Sequence, residues 1–405
     1  MKRLLSLFII ISLFFSHVHS SDQSQWRGPN RNGSYPEKNL LKKWPETGPQ
    51  LLWLVEDLGQ GYSSAAVAKG RVYVTEMVEG EGSLRAYDIS GKLLWKKVYG
   101  KEWEKSHSGA RTTPTVFEGR IYLMSAYGEV FCFDAISGNV LWSVDLQKQF
   151  DAQNIEWGMT ESLLVDGEKV ICTPGGPQVT IAALNRFTGK TIWTSKTNGQ
   201  TSGYCSPILI EYGNMRLIAT MIQKSIIAVN AADGKFLWQY PHATDYDINA
   251  NSPIYQDGFI YCLSGYGSGG EKLKMAADGK SVQKVWQNET LDSQIGAAVL
   301  VDGFLYGSGH KNRGWRCLDW NTGEEKFATR ALGGKGNIIY ADGMLYIYSE
   351  AGDVALVKPN PNAFEVVSSF KVVKGSDPHW AHLVIDEGRL YVRHGNALLV
   401  YSIAK

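Results

Sequence analysis

The stretch DAISGNVLW, residues 134–142, decides the fold because near copies of it recur along the chain. In each copy an Asp or Asn ends one strand, a turn containing Gly follows, and a new strand begins. Asx side chains bond to the backbone across such turns, and Gly takes the positive φ that closes them. A phrase repeated at this spacing predicts a repeat architecture. The other copies are DISGKLLW (88–95), NRFTGKTIW (185–193), NAADGKFLW (230–238) and DWNTGEEKF (319–327).

A second pattern alternates with the first. It is an apolar alternating run interrupted by a turn that contains Gly, as in VFEGRIYL (116–123). Strict alternation around a Gly turn predicts a β-hairpin with one buried face. The chain therefore contains eight hairpins, each followed by a third strand and by a fourth strand that carries an aromatic residue. The hairpin glycines are Gly70, Gly119, Gly167, Gly213, Gly258, Gly303, Gly343 and Gly388.

The last repeat stops after three strands, and the missing strand lies at the other end of the chain. PQLLWLVE (49–56) carries Trp53 in the same Leu-Trp context as the other fourth strands. We therefore predict an all-β, eight-bladed β-propeller of four-stranded antiparallel blades, closed by an N-terminal strand that completes the last blade. Two β-sandwiches joined by a linker are the alternative, but no change of composition marks a linker. The aromatic residues of the other fourth strands are expected to pack between blades: Trp95, Trp142, Trp193, Trp238, Trp286, Phe327 and Phe370.

The N-terminal residues predict export. Lys2 and Arg3 precede an apolar run, and small residues follow it, so residues 1–20 are interpreted as a cleaved signal peptide. Residues 21–48 are expected to form an irregular arm with Trp26 as an anchor, and residues 49–405 the propeller. We expect a periplasmic or extracellular protein with no stable membrane anchor, because no other apolar stretch is long enough to span a bilayer.

Charge and cysteine content exclude several classes. The chain has 41 Lys and Arg against 40 Asp and Glu, so electrostatics do not favour nucleic acid as a partner. The five cysteines lie far apart and form no C-x-x-C motif, which argues against structural zinc and thioredoxin-like chemistry. We expect them to be buried and to act as small apolar residues.

The repeated phrase resembles the pyrroloquinoline-quinone (PQQ) repeat. That family includes the propellers of quinoprotein alcohol dehydrogenases and the propeller scaffold of the outer-membrane β-barrel assembly machinery. The resemblance runs from about residue 26 to the C-terminus. The chain is similar above all to a secreted subgroup of PQQ-like β-propeller repeat proteins. The segments that carry this resemblance are WRGPNRNG (26–33), EWGM (156–159), TPGGP (173–177), GYCSPIL (203–209) and NANSP (249–253). The resemblance implies a fold rather than one function, since the same ring serves enzymes and scaffolds.

Candidate ligand-binding residues stand where the innermost strands begin. In a propeller these strands line the central channel, so polar and aromatic residues at their starts can converge on a pocket. The alternative is that they only hold neighbouring blades in register. The candidates are Arg111, Glu156, Trp157, Tyr204, Asn249, Asn251, Gln294, Asn337, His379 and Trp380.

The resemblance also raises the question of a cofactor. In quinoprotein dehydrogenases PQQ stacks between a Trp and adjacent cysteines, and calcium is held by Glu, Asn and Asp. The adjacent Cys pair is missing here, although Glu156, Asn249 or Asn251, and Asp247 are oxygen donors of the kind that calcium prefers. His379 and His382 point to opposite faces of an extended segment and do not suit one metal. We therefore expect no catalytic residue, no metal and no cofactor, with PQQ and calcium as the alternative.

Two functions remain open at this point. The first is a binding or scaffold module that takes an unknown protein or small molecule at its loop rim and channel. The second is a PQQ- and calcium-dependent dehydrogenase of alcohols or sugars. The sequence favours the first, because the cysteine pair required by the second is absent.

Overall fold

The protein is an eight-bladed propeller, as predicted. A computed structural model describes residues 23–405, so the predicted signal peptide lies outside the described residues. Eight blades, each of four antiparallel strands, follow one another in chain order, and this part of the chain contains almost no helix. The first strands of neighbouring blades contact each other around the channel, and the fourth strands form the outer edge.

Three strands precede the first blade, and the first four blades end at Pro241. The early strands are β1 (Gln23–Ser24), β2 (Ser34–Tyr35) and β3 (Gln50–Val55). Blade 1 has β4 (Ala66–Ala68), β5 (Arg71–Val78), β6 (Glu81–Asp88) and β7 (Leu93–Lys101), and blade 2 has β8 (Thr115–Phe117), β9 (Arg120–Met124), β10 (Glu129–Asp134) and β11 (Val140–Asp145). Blade 3 has β12 (Leu164–Asp166), β13 (Lys169–Cys172), β14 (Ile181–Asn185) and β15 (Thr191–Ser195), and blade 4 has β16 (Ile208–Tyr212), β17 (Met215–Ile222), β18 (Ser225–Asn230) and β19 (Phe236–Pro241).

The second half of the chain supplies the other four blades. Blade 5 has β20 (Ile254–Gln256), β21 (Phe259–Ser264), β22 (Gly269–Met275) and β23 (Val282–Asn288), and blade 6 has β24 (Ala298–Val301), β25 (Phe304–Ser308), β26 (Trp315–Asp319) and β27 (Glu325–Thr329). Blade 7 has β28 (Gly336–Ala341), β29 (Met344–Ser349), β30 (Asp353–Lys358) and β31 (Glu365–Lys371), and blade 8 has β32 (Val384–Asp386), β33 (Arg389–His394), β34 (Ala397–Ser402) and β3.

The few helical turns lie in the connections between blades. They are α1 (Leu146–Phe150) and two 3₁₀ turns, Asp245–Asp247 and Ala331–Gly334. Within residues 23–405 these helices are too short for any of them to span a lipid bilayer. All five cysteines are buried and free, which confirms the prediction that they serve as apolar packing.

The repeated turn packs against the preceding blade. Gly234 has φ +73°, and a Cβ placed there would lie 2.4 Å from the Trp193 ring of blade 3. A Cβ placed on Gly138 of blade 2 would likewise lie 2.7 Å from the Trp95 ring of blade 1. The glycine therefore serves two purposes: it closes the turn, and it leaves room for the neighbouring indole. The expectation that these Trp residues pack between blades is confirmed.

The same contact closes the ring. β3 pairs antiparallel with β34, with Trp53 opposite Val400, as the strand count predicts. Trp53 Nε1 donates to the Ile89 carbonyl of blade 1 at 3.0 Å, and a Cβ on Gly91 would lie 2.7 Å from its ring. Blade 8 is therefore joined to blade 1 through the glycine–indole contact that also joins blade 1 to blade 2 and blade 3 to blade 4.

The segment of residues 25–33 crosses the channel and plugs it. β1 pairs with β8 of blade 2, and β2 pairs in parallel with β28 of blade 7. Between them, fully buried Arg31 donates to the carbonyls of Pro207, Ser162 and Leu163 at 2.6 to 2.8 Å. Arg27 donates to the Ala298 carbonyl at 2.7 Å and to that of Ile338 at 3.2 Å. Each buried guanidinium thus satisfies carbonyls on two adjacent blades, and the two arginines lie against different parts of the ring.

Candidate functional site

A cavity of about 390 Å³ opens at one mouth of the plugged channel. Its walls come mainly from the connections between the fourth strand of one blade and the first strand of the next. We call it the cup. It is lined by Trp26, Tyr62, His107, Arg111, Trp157, Thr160, Ser162, Tyr204, Ser206, Ile248, Ala250, Tyr266, Gln294, Ile295, Trp380 and His382.

The floor of the cup belongs to the plug. The rings of Trp26 and His382 lie 4.5 Å apart. Arg27 Nη1 lies 3.0 Å from His382 Nδ1, and His382 Nε2 lies 2.8 Å from the Ile295 carbonyl. A guanidinium only donates and a carbonyl only accepts, so His382 is neutral with its proton on Nε2. Burial, together with the adjacent Arg27, lowers the pKa of His382 to about 3, in agreement with this assignment.

Aromatic rings form two of the walls. On one side Trp380 packs between Tyr62 and His107, with ring centroids 5.0 and 4.8 Å away. On the other side the ring of Trp157 lies 6.2 Å from that of Tyr204. Flat side chains of this kind present apolar faces with a polar edge, which suits a planar ligand.

Hydrogen bonds hold the Tyr204 wall in place. The Tyr204 hydroxyl accepts from the Trp157 backbone N–H at 3.3 Å, and the Thr160 hydroxyl donates to the Tyr204 carbonyl at 2.9 Å. Burial raises the pKa of Tyr204 to about 12, so its hydroxyl remains protonated at neutral pH. Its proton can therefore be donated to a ligand.

Arg111 brings a permanent positive charge to the cup. Its Nη2 donates to the carbonyl of Ser106 at 3.3 Å and to that of His107, which holds the guanidinium at the mouth. Burial lowers the pKa of Arg111, and arginine side chains stay protonated in proteins. Among residues 23–405, neither Asp nor Glu lines the cup.

Five of the ten predicted site residues line the cup. These are Arg111, Trp157, Tyr204, Gln294 and Trp380. They come from different connections between blades, whereas Glu156, Asn249 and His379, which were expected to converge with Arg111, do not line this cavity. Whether these side chains bind a ligand stays a prediction.

Three of the other candidates are buried asparagines that bridge neighbouring segments. Asn249 Nδ2 donates to the Ile222 carbonyl at 2.9 Å, and Asn251 Nδ2 donates to that of Ser293 at 2.7 Å. Asn337 Nδ2 donates to the Ala381 carbonyl at 3.0 Å. The structure places these amides outside the cup lining, in backbone contacts that join one blade to the next.

The last two candidates also lie away from the cup lining. Glu156 is exposed beside Trp157. His379 Nδ1 lies 2.6 Å from the Tyr348 hydroxyl, and its ring stacks on His394 at 3.6 Å. Burial, with His394 next to it, lowers the pKa of His379 to about 4. His379 thus supports the connection that carries Trp380.

Sequence reasoning missed several cup residues, among them Tyr62 and Tyr266. One signal was present for Tyr62, because GYSS (61–64) repeats the GYCS phrase (203–206) that contains Tyr204. Tyr266 offered no such signal. It lies in a loop inside blade 5, where its backbone N–H donates to His310 Nδ1 at 3.1 Å.

The residues of the cup do not fit a PQQ–calcium centre. Calcium requires several oxygen ligands, usually carboxylates, and the described residues bring no carboxylate to the cup lining. Asp247 accepts from Gln223 Nε2 at 2.7 Å and lies outside the lining. Over residues 23–405 no group of three or more His, Cys, Asp or Glu side chains is arranged to hold a metal. All five cysteines are buried and none of them lines the cup, so no cysteine borders a quinone ring placed there.

The repeats, the closing strand and the ring define a PQQ-like repeat propeller. The chain belongs to the PQQ-repeat family described as "Outer membrane protein assembly factor BamB", whose sequence model matches residues 80–329. Both dehydrogenases and assembly factors are similar in sequence to the chain, and neither similarity extends over a whole relative.

Three comparisons illustrate this. Quinoprotein alcohol dehydrogenase PedH of Pseudomonas putida is 24% identical over 234 residues, covering 54% of this chain and 35% of the relative. Outer membrane protein assembly factor BamB of Kangiella koreensis is 28% identical over 141 residues, covering 33% of this chain and 32% of the relative. The match thus spans about a third of each relative's length. The crystal structure of BamB from Moraxella catarrhalis superposes with TM-score 0.61 at 16% identity, covering 87% of this chain and 97% of that one, which shows a shared fold.

Proposed function

We propose that this protein is an exported, non-catalytic binding propeller whose binding site is the cup. The observation that carries the proposal is the plugged channel. Trp26 and His382 floor the channel mouth, so the cup has aromatic walls, a closed inner end and an open rim. Its volume lies within the range of small-ligand pockets. A small molecule, or one side chain of a partner protein, is the size of object that it can enclose.

A ligand screen with a blocked cup tests this function. Ala250 lines the cup, whereas Ala243 in the same connection is exposed. Thermal-shift screening of a diverse small-molecule library should give hits with the wild type and with Ala243→Phe that disappear with Ala250→Phe. Hits that survive in both variants would place binding elsewhere and contradict the proposal.

Export rests on residues 1–20. A basic start, an apolar core and small residues before Ser21 are the pattern of a cleaved signal peptide. Intact-mass measurement of the protein from its native host, combined with cell fractionation, tests this step. A mature chain that begins at Ser21 in the exported fraction is expected, and a full-length chain retained in the cytoplasm would contradict it.

The second candidate is a quinoprotein dehydrogenase. It is favoured by the names of the dehydrogenase relatives and opposed by the lack of a carboxylate among the described residues of the cup lining. Purified protein incubated with PQQ and calcium should not oxidise alcohols or sugars with an artificial electron acceptor. Turnover that is lost on Glu156→Gln, with the fold intact, would replace the binding proposal by the enzymatic one.

A further inference from the structure

The charge of the cup is unbalanced. Arg111 carries the permanent charge of the lining, and in the described chain no carboxylate lies within 4.0 Å of its guanidinium. Its Nε is buried and has no hydrogen-bond partner among residues 23–405. A partly buried cation without a counter-ion is costly, because burial removes solvation that no partner replaces.

The carboxyl of Glu102 acts on Arg111 but is already engaged. Glu102 is buried, and it accepts from the Tyr99 hydroxyl at 2.5 Å and from the Ala126 backbone N–H at 3.2 Å. Burial raises the pKa of Glu102 to about 7, so close to neutral pH it supplies only part of a negative charge. Arg111 therefore keeps donor capacity and positive charge for a ligand.

The walls beside Arg111 are flat. Trp380 and Tyr62 face the cup from one side, and Trp157 with Tyr204 face it from another. Gln294, whose Nε2 donates to the Tyr266 hydroxyl at 2.6 Å, adds an amide to the lining. A guanidinium N–H donates a charge-assisted hydrogen bond to a carboxylate, and Nη1 of Arg111 makes none within the described chain, while aromatic faces bind a flat apolar surface.

We propose that the cup binds a small organic carboxylate with a flat body, with the carboxylate on Arg111 and the body between Trp157 and Trp380. This inference rests on the proposed function and specifies its ligand class. An aromatic carboxylate and an acidic sugar share this chemistry, since the ring of either can lie on an indole face. Binding requires no metal, because the guanidinium itself supplies the positive charge that the carboxylate needs.

Calorimetry with matched probe pairs tests the inference. The mature wild-type chain is titrated in EDTA with 2-naphthoate and with D-glucuronate, and then with their neutral counterparts, 2-naphthamide and D-glucose. At least one acid should bind at least tenfold more tightly than its neutral counterpart. The pair that shows the difference identifies which kind of flat body the cup accepts.

Variants assign the charge selectivity to one side chain. Arg111→Gln should weaken binding of the acid at least tenfold, whereas Arg111→Lys should retain part of the preference. Arg330→Gln removes an exposed arginine outside the cup lining and should bind like the wild type. The acid–neutral comparison on the wild type keeps the inference testable even if a variant is destabilised.

Three results would overturn the inference. They are equal binding of acid and neutral probes, unchanged affinity in Arg111→Gln, and no binding of any probe. A neutral probe that binds the wild type but not Ala250→Phe would remove the anion preference and leave the cup as a binding site. Absence of every hit in the library screen would remove the proposed function itself.

Discussion

Ionisable side chains buried around the channel link the stability of this ring to pH. His382 is held neutral beneath the cup by Arg27 and the Ile295 carbonyl. Glu161 is fully buried next to the plug, accepts from the Thr173 backbone N–H at 2.9 Å and leaves Oε1 without a partner among the described residues. Protonation states that differ between folded and unfolded chains make folding pH-dependent.

His382 predicts a loss of stability in acid. Its pKa falls from 6.5 to about 3 in the folded protein, so only the unfolded chain gains a proton as the pH drops below 6.5. The free energy of unfolding that His382 contributes above pH 6.5 therefore falls by about 3 kcal/mol when the pH is lowered to 4. Urea unfolding of His382→Gln between pH 7 and 4 should show a correspondingly shallower decline. A decline equal to that of the wild type would contradict the assignment of neutral His382.

Glu161 predicts the opposite dependence. Burial raises the pKa of Glu161 from 4.5 to about 8, so the folded chain retains a proton that the unfolded chain releases. The contribution of protonated Glu161 to the free energy of unfolding is complete below pH 4.5 and is lost as the pH rises through 8. Glu161→Gln should therefore gain as much as about 4 kcal/mol relative to the wild type between pH 4.5 and 8. Urea midpoints at both values measure this, and a difference independent of pH would exclude a protonated Glu161.

At the scale of the strand and its turn, the stability of the ring depends on the contact between a turn glycine and the preceding indole. Six of the hairpin turns combine a residue at positive φ with a following Gly, as at Asp302–Gly303, which is the type I′ geometry of two-residue hairpins. Those turns act within a blade. The glycine of the repeated phrase acts between blades as well, because a neighbouring Trp lies against it.

Two alanine substitutions separate these effects. Gly119 has φ +75° and open space within 4 Å of the point where a Cβ would lie, whereas Gly234 has φ +73° and Trp193 at 2.4 Å. Gly119→Ala should cost about 1 kcal/mol from the left-handed backbone alone. Gly234→Ala should cost at least about 2 kcal/mol more, since the indole must move. Chemical unfolding measures both, and equal costs would show that the indole contact contributes nothing.

For the whole molecule, two N-terminal segments have different tasks. β3 completes blade 8, and residues 25–33 plug the channel and floor the cup. The first task gives the ring its closed hydrogen-bonded edge. The second gives it a pocket instead of an open channel.

Replacing residues 49–56 by a Gly/Ser linker of equal length should open the ring. The outer edge of β34 then loses its partner and becomes available for strand addition, so we expect aggregation and a melting temperature lower by several degrees. Size-exclusion chromatography and calorimetry measure these effects. Removing residues 21–24, which include β1, is the control and should leave the ring monomeric. A monomer with wild-type melting after linker replacement would contradict the closure.

Part of the site could be predicted because the starts of inner strands are readable from the repeat. That rule found Arg111, Trp157 and Trp380 in the cup. It could not tell which side chains face the cavity and which turn between blades, as Asn249 does. The direction in which a side chain points at the start of a strand depends on local backbone angles, and the repeat period does not encode these angles.

The sequence by itself determined the number of blades, the place of each turn and the identity of the closing strand. These follow from a local period and from the requirement that every sheet edge be paired. Only the tertiary structure decided that residues 25–33 plug the channel and that residues of distant blades form one cup. Arg31 and the Pro207 carbonyl that it binds are 176 residues apart, and Arg27 and Ile338 are 311 apart. Contacts over such separations depend on the path of the chain across the assembled ring, which no local pattern specifies.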